Sequence, residues 1–97
     1  MAAYFVVDIQ EITDPQTYAD YRQGVAATLD RYGGKFLVRG GAYETIEGDW
    51  QPQRFVIVAF ADTEQFKRWY NSPEYSELRE LRFKASTGRA IIVQGVE

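Results

Sequence analysis

Alternating side chains at the start of the chain predict a strand over residues 3–12. Phe5, Val7 and Ile9 form one continuous apolar face. The opposite face begins apolar and becomes polar from Asp8 onward, which is typical of a half-buried strand. We therefore expect this strand to pack one side against the core.

A helical spacing replaces the alternation after Asp14-Pro15. Aspartate caps a helix by accepting hydrogen bonds from its first N–H groups, and the fixed φ of proline suits the first turn. Apolar residues then recur at intervals of three and four, as in an amphipathic helix. These residues are Tyr18, Tyr21, Val25, Leu29 and Tyr32. Gly33-Gly34 is expected to end the helix, because glycine readily takes the left-handed conformation.

The middle of the chain predicts two more strands. Residues 35–39 predict the second strand, and Gly40-Gly41 interrupts it with a bulge or a close backbone approach. The strand pattern resumes over residues 43–47. Residues 54–60 are nearly continuously apolar, which predicts a central strand covered on both faces.

The last third predicts two helical segments and a fourth strand. Residues 62–65, Asp-Thr-Glu-Gln, resemble a capping box in which the glutamine reaches back to the cap. Ser72-Pro73 breaks this helix and starts another, with serine as the cap. Residues 90–96 are apolar again and predict the final strand.

The resulting order, strand-helix-strand-strand-helix-strand, indicates an α+β, ferredoxin-like βαββαβ fold. Residues 1–97 are expected to form one domain, with a four-stranded antiparallel sheet and helices on one face. The other face is left bare although the strands are apolar on both faces. A second copy packing sheet to sheet is the simplest cover, so we expect a homodimer.

The composition argues against several classes of function. The formal charge of −3 and the pI near 4.9 disfavour nucleic acids and anionic membranes as partners. No apolar run reaches the length of a membrane span and no signal-peptide pattern opens the chain, so we expect a cytoplasmic protein. The chain has neither cysteine nor histidine. We therefore expect no metal site, no haem and no cofactor, and any catalysis would use carboxylate, tyrosine, lysine or arginine side chains.

Four separated motifs carry a resemblance to a known family. They are residues 32–41 (YGGKFLVRGG), residues 47–54 (EGDWQPQR), residues 69–75 (WYNSPEY) and Leu81-Arg82. With them the chain closely resembles the family called domain of unknown function 1330. The resemblance covers nearly the whole chain and implies a ferredoxin-like monomer of the dimeric α+β barrel superfamily. It implies no activity, because the family has no established reaction.

Three arginines stand at positions where apolar residues are expected. Arg39 ends a strand, Arg54 opens the central strand, and Arg82 falls within the apolar stripe of its helix. One hypothesis is an anion site, since guanidinium groups bind carboxylate or phosphate bidentately and Gly40-Gly41 leaves room for a ligand. The alternative is an internal ion-pair network. Its acid partners would come from Asp8, Glu44 and Glu47.

Glu47 and four aromatic residues complete the candidate site. An arginine beside Glu47 would lower the pKa of its carboxyl, so Glu47 serves either as an arginine partner or as a base, with pairing favoured. Trp69, Tyr70 and Tyr75 would line the apolar side of a pocket, although aromatics at helical spacing also suit a plain core. Trp50, in a polar loop, indicates an interface or a pocket lid.

Two functions follow from these patterns, and the sequence leaves open whether the chain is an enzyme. The first is binding or turnover of a small carboxylate-bearing or aromatic molecule without a metal, in a cleft between sheet and helices. The second is a non-enzymatic dimeric module in which the arginine–carboxylate network is purely structural. The second predicts no cleft of about 300 Å³ or more near the arginines.

Overall fold

The computed structural model describes residues 1–96, which form four strands and three helices. In chain order these are β1 (Ala3–Ile12), α1 (Pro15–Tyr32), β2 (Lys35–Arg39), β3 (Arg54–Phe60), α2 (Thr63–Tyr70), α3 (Pro73–Ala85) and β4 (Ser86–Gln94). The second helical region is thus two helices, separated where Ser72-Pro73 was expected to break it.

The strands form one antiparallel sheet in the order β2-β3-β1-β4. β1 lies in the middle, where Val7 pairs with Val56 on one side and Ala90 on the other. The predicted ferredoxin-like α+β fold is confirmed. Contacts among α1, α2 and α3 place the helices in one layer against the sheet.

Side-chain caps explain where the helices begin. The Asp14 carboxylate accepts hydrogen bonds from the backbone N–H of Thr17 at 3.2 Å and from its hydroxyl at 2.7 Å. The hydroxyl of Ser72 caps α3 in the same way. At α2 the glutamine of the predicted capping box reaches past the cap, because the side-chain oxygen of Gln65 accepts from the N–H of Ala61 at 2.7 Å.

The predicted strand over residues 43–47 is wrong. Gly40 has a positive φ of +70°, which turns the chain away from the edge of the sheet after β2. Residues 40–53 then close on themselves as a loop. The Tyr43 hydroxyl donates to the Pro52 carbonyl at 2.9 Å, and the Thr45 hydroxyl donates to the Trp50 carbonyl at 2.6 Å.

Two smaller differences concern register. The irregularity in β2 lies between Phe36 and Val38 rather than at Gly40. Gly40 instead makes the close approach that was the other expectation, because a Cβ there would lie 2.4 Å from Nη1 of Arg54. β4 begins four residues earlier than predicted, since Ser86 already pairs with Ile12.

The core lies between the helices and one face of the sheet. Phe5, Val7 and Ile9 are buried there, as the alternation of β1 predicts. The opposite sheet face, here called the open face, carries apolar residues that no helix covers in the described part of the chain. Ile91 and Val93 on β4 are 62% and 45% exposed. On β3 the open-face residues Phe55, Ile57 and Ala59 are only partly buried. The expectation that β3 is covered on both faces is therefore met only on the helix side.

Candidate anion-binding site

A narrow cavity lies between the helices and the helix-facing side of the sheet. Its volume is about 30 Å³, which is room for about two water molecules. Apolar and aromatic side chains from α1, β1 and β3 form most of its wall. Four arginines complete it, and no aspartate or glutamate lines it. These arginines are Arg22, Arg39, Arg54 and Arg82.

Arg82 is the most deeply buried of the four. Its position within the apolar stripe of α3 turns the side chain inward, and the residue is only 6% exposed. The guanidinium carbon lies 5.2 Å from the ring centre of Phe83 and 6.0 Å from that of Phe5. Among residues 1–96, the Arg82 guanidinium has neither a hydrogen-bond partner nor an acidic partner within 4.0 Å.

Arg54 brings a second cation to the same cavity. It opens β3, and its in-facing position directs the half-buried side chain toward α1. Nε is fully buried and has no hydrogen-bond partner among the described residues. The guanidinium carbon lies 5.9 Å from the Tyr18 ring centre. Burial raises the pKa of Tyr18, and the Arg54 charge partly opposes that rise.

Arg39 and Arg22 lie at the rim. Both side chains are exposed, and Nη2 of Arg39 donates to the carbonyl oxygen of Arg22 at 3.4 Å. The Arg39 guanidinium carbon also lies 4.4 Å from the Phe36 ring centre. Arg22 was not among the site residues expected from the sequence. Its signal is the spacing of four from Tyr18, which places both side chains on the same side of α1.

The carboxylates expected to pair with these arginines lie elsewhere. Asp8 is buried on the open face, where Oδ2 accepts from Nε1 of Trp50 and from Nε of Arg89, each at 3.0 Å. Glu44 and Glu47 lie in the exposed loop 40–53, and neither forms an ion pair within the described residues. The expected pairing of Glu47 with an arginine is therefore wrong, and the structural network that the second function requires is absent around the cavity.

Trp50 and Glu47 belong to a different region from the arginines. They line a groove of about 430 Å³ formed by the loop 40–53 together with Phe55, and this groove shares no residue with the arginine cavity. Trp50 is 50% exposed and packs edge-on against Phe55, with ring centres 5.5 Å apart. It therefore extends over one end of the open face, not over the arginine cavity.

The aromatic residues of α2 and α3 divide among three environments. Trp69 lines the arginine cavity, and its Nε1 donates to the Thr28 hydroxyl at 3.0 Å. Tyr75 stacks on Trp69 at 3.9 Å and is a core residue with no exposed surface. Tyr70 contributes to a separate groove with Arg82 and Phe83. Of these three aromatics, only Trp69 contacts the cavity.

A hydroxyl pair lies behind the cavity wall. The oxygens of Tyr21 and Tyr75 are 2.9 Å apart and buried. Burial raises the pKa of both tyrosines, that of Tyr21 more strongly. Both hydroxyls therefore stay protonated at neutral pH and act as hydrogen-bonding groups.

The chemistry of the cavity follows from its charges. Four guanidinium groups with no carboxylate among them create a positive potential in a place with little water. Such surroundings are chemically suited to an anion, and no carboxylate lines the cavity that would serve as a general base at neutral pH. Over residues 1–96, no three acidic residues lie close enough to hold a metal ion, and no helix combines the length and apolarity needed to cross a membrane.

Solved structures with this fold include one protein of unknown function and two oxygenase-type proteins. The RPA0582 protein of unknown function from Rhodopseudomonas palustris is 17% identical, with a TM-score of 0.80 over 99% of this chain and 83% of that chain. SnoaB, a cofactor-independent oxygenase from Streptomyces nogalater, is 15% identical, with a TM-score of 0.67 over 99% and 94%.

A putative antibiotic biosynthesis monooxygenase from Caulobacter crescentus is 14% identical, with a TM-score of 0.61 over 99% and 91%. At these identities the likeness concerns the fold alone. No curated protein matches the sequence. A family model does match, over residues 2–96, and the chain therefore belongs to the family described as domain of unknown function 1330.

Proposed function

We propose that this protein binds a small carboxylate-bearing molecule in the arginine-lined cavity. The observation that carries the proposal is Arg82, a residue only 6% exposed whose guanidinium has no acidic partner within 4.0 Å among residues 1–96. A buried cation without a partner is strongly unfavourable, so proteins keep one where a partner arrives from outside. A ligand carboxylate is such a partner.

The cavity fits a carboxylate in size and in donors. Its volume of about 30 Å³ admits a group of about two water molecules in size, and a carboxylate is of that order. The unpartnered Nε of Arg54 and the guanidinium of Arg82 offer N–H donors for charge-assisted hydrogen bonds. The aromatic wall excludes water, which strengthens these bonds.

The proposed site needs no cofactor. SnoaB, which shares the fold, is described as a cofactor-independent oxygenase, and that description favours a site built from side chains alone. The cavity of about 30 Å³ is itself smaller than the cleft of about 300 Å³ that separates the two functions, although open grooves of about 420 and 480 Å³ border Arg39 and Arg82. The lack of a carboxylate beside the arginines is what favours ligand binding over a structural network. The cytoplasmic location stays a prediction.

Two copies of the chain are further proposed to pack by their open faces. The accessible surface is 6246 Å², whereas a compact monomer of this mass exposes about 5,700 Å². The exposed Ile91 and Val93 concentrate apolar surface where a partner would cover it. A stable interface of this kind buries about 800 Å² from each copy.

Analytical ultracentrifugation tests the dimer. The protein is expected to sediment as two copies, and Ile91→Glu to sediment as one because it places a charge in the buried centre of the interface. Circular dichroism confirms that the variant is folded. A monomeric wild-type protein at micromolar concentration overturns the dimer.

Calorimetric titration tests the ligand proposal. Acetate, propionate and benzoate are each compared with the matching amide, which has nearly the same shape and no charge. We expect the carboxylates to bind and the amides not to bind. Arg82→Gln should weaken binding about tenfold or more, because a charge-assisted hydrogen-bonded pair contributes about 1.5–3 kcal/mol.

Arg68→Gln is the control, because Arg68 is exposed on α2 and does not line the cavity. It should bind as wild type does. Absence of carboxylate binding to folded wild-type protein contradicts the proposal, and so does equal binding by wild type and a folded Arg82→Gln.

A further inference from the structure

The four guanidinium groups of the cavity fall into two pairs at different depths. Arg54 and Arg82 form the inner pair, which is half-buried and buried respectively. Arg22 and Arg39 form the rim pair, and both are exposed. Nη2 of Arg39 donates to the backbone carbonyl oxygen of Arg22 at 3.4 Å, which places the Arg39 side chain beside the backbone of Arg22. The two pairs therefore differ in burial, with the inner pair shielded from water and the rim pair open to it.

The rim pair marks where the cavity meets the surface. Arg22 and Arg39 line the inner cavity, and they also line an outer groove of about 420 Å³. The other residues of the groove are Ala19, Gln23 and Ala26 of α1. A molecule whose first charged group enters the 30 Å³ cavity can extend outward past this pair into the groove.

Neither space contains an acid. No aspartate or glutamate lines the inner cavity or the outer groove, although acidic residues outnumber basic residues in the whole chain by 14 to 11. Like charges held in a pair repel each other, and an anion between them relieves that repulsion. Each pair can therefore accept one carboxylate.

We infer that the ligand of this site is a short dicarboxylate. One carboxylate lies at the inner pair, Arg54 and Arg82, and the second lies at the rim pair, Arg22 and Arg39. The connecting carbon atoms pass the rim beside the small side chains of Ala19 and Ala26. This inference rests on the proposed function and adds to it the number and the placement of the charges that the ligand carries.

Calorimetry with a homologous series tests the inference. Straight-chain dicarboxylates from four to seven carbons are each compared with the monocarboxylate of the same carbon number. We expect one chain length to bind best, at about ten times the affinity of its monocarboxylate, since a second set of charge-assisted hydrogen bonds is worth about one factor of ten. The preferred length measures the separation of the two pairs.

Variants of the two pairs should behave differently. Arg22→Gln and Arg39→Gln are expected to weaken dicarboxylate binding more than monocarboxylate binding and so to remove the preference for the dicarboxylate, because the inner pair stays intact. Arg82→Gln should weaken both ligands. Arg68→Gln, away from both spaces, serves again as the folded control and should keep the preference.

Salt provides a second measurement that does not depend on variants. The rim pair is exposed, so its contribution is screened when the ionic strength rises from about 0.02 to about 0.2 M. The ratio of dicarboxylate to monocarboxylate affinity should fall over this range, while monocarboxylate affinity changes less because the inner pair is buried.

The outcomes separate the two proposals. If monocarboxylates and dicarboxylates of every length bind equally, and both lose affinity in Arg82→Gln, the dicarboxylate inference is overturned and the proposed function stands. If neither class binds to folded wild-type protein, the proposed function is overturned together with it. A dicarboxylate preference that survives in folded Arg22→Gln and Arg39→Gln also overturns the inference.

Discussion

Arginine occurs on both faces of the sheet, in opposite electrostatic surroundings. On the open face, Arg89 donates to the buried carboxylate of Asp8 at 3.0 Å, and its own side chain is largely exposed. On the helix-facing side, Arg82 is buried and no carboxylate lines its cavity. In the first arrangement the charge of Asp8 is paired within the described chain, through Oδ2, while Oδ1 is buried without a hydrogen-bond partner. The second lacks an acidic partner among the described residues, which is why we propose that a ligand anion binds on the helix-facing side.

Substituting the two tryptophans should give the largest difference in unfolding free energy between the two faces of the sheet. Each donates Nε1 to a side-chain oxygen at 3.0 Å, but Trp69 is 1% exposed and Trp50 is 50% exposed. Trp69→Ala is expected to lower the free energy of unfolding by about 3–5 kcal/mol, because it leaves a cavity in the aromatic core. Trp50→Ala should cost about 1–2 kcal/mol, mainly the hydrogen bond to Asp8.

Urea unfolding followed by circular dichroism measures both tryptophan variants. Trp69→Phe serves as the milder control on the helix-facing side. A cost for Trp50→Ala that equals or exceeds that of Trp69→Ala would show that the loop 40–53, and not the helix layer, supports the fold.

The two residues of the ion pair on the open face should contribute unequally to the free energy of unfolding. Asp8→Ala is expected to lower the free energy of unfolding by about 2 kcal/mol, because Trp50 Nε1 and Arg89 both lose their acceptor. Arg89→Ala should cost less than about 1 kcal/mol, since an exposed partner is replaced by water. The two unfolding free energies are compared at neutral pH, and equal costs would contradict the described burial of Asp8.

Replacing Arg82 should change the free energy of unfolding in the opposite direction, as a gain instead of a loss. Without ligand, Arg82→Met is expected to raise the free energy of unfolding by about 1 kcal/mol, because an apolar side chain of similar length replaces a buried cation without an acidic partner. The same variant should lose carboxylate binding. Arg89→Met on the open face provides the matched control and should gain nothing. A clear loss of stability in Arg82→Met would indicate that a protein partner already neutralises this guanidinium.

The smallest expected effect is a loss of stability at alkaline pH, caused by two buried tyrosines on the helix-facing side. Burial raises the pKa of Tyr21 and Tyr75 above the ordinary value near 10. The unfolded chain therefore releases these protons at lower pH than the folded chain, and stability is present below pH 10 and falls above it. At about pH 10.5, ionisation of each tyrosine in the unfolded chain is expected to lower the free energy of unfolding by less than about 1 kcal/mol.

Tyr21→Phe tests this pH dependence, because it removes one titrating group and one hydroxyl of the 2.9 Å pair. The unfolding free energy of the variant should fall less steeply between pH 9 and about pH 10.5 than that of wild type. Parallel pH profiles for the two proteins would contradict the burial of this hydroxyl.

The sequence allowed the elements of the fold to be predicted because each has a local signal. The alternation of β1, the spacing of α1 and the caps at Asp14 and Ser72 depend only on near neighbours in the chain. The loop 40–53 could not be predicted in the same way. The residues over 43–47 suit a strand, but the sheet offers them no partner after Gly40 turns the chain away.

The site was predicted in part for a related reason. The helical wheel placed Arg82 within an apolar stripe, which is a local property, and the structure shows it buried. Which carboxylate meets which arginine depends instead on the register between strands far apart in sequence. Asp8 faces Arg89 because β1 and β4 pair at that residue. No local pattern contains this information, so the pairing of Glu47 was predicted wrongly.

Gly40 sets a constraint on how the binding cavity can change. The space that a side chain would occupy at this position is already filled by the Arg54 guanidinium, and the positive φ disfavours any other residue. Even a methyl group there would clash with the Arg54 guanidinium and force it to move. The proposed anion affinity is thus tunable from a backbone position outside the cavity lining, and a search for altered specificity should begin at residue 40.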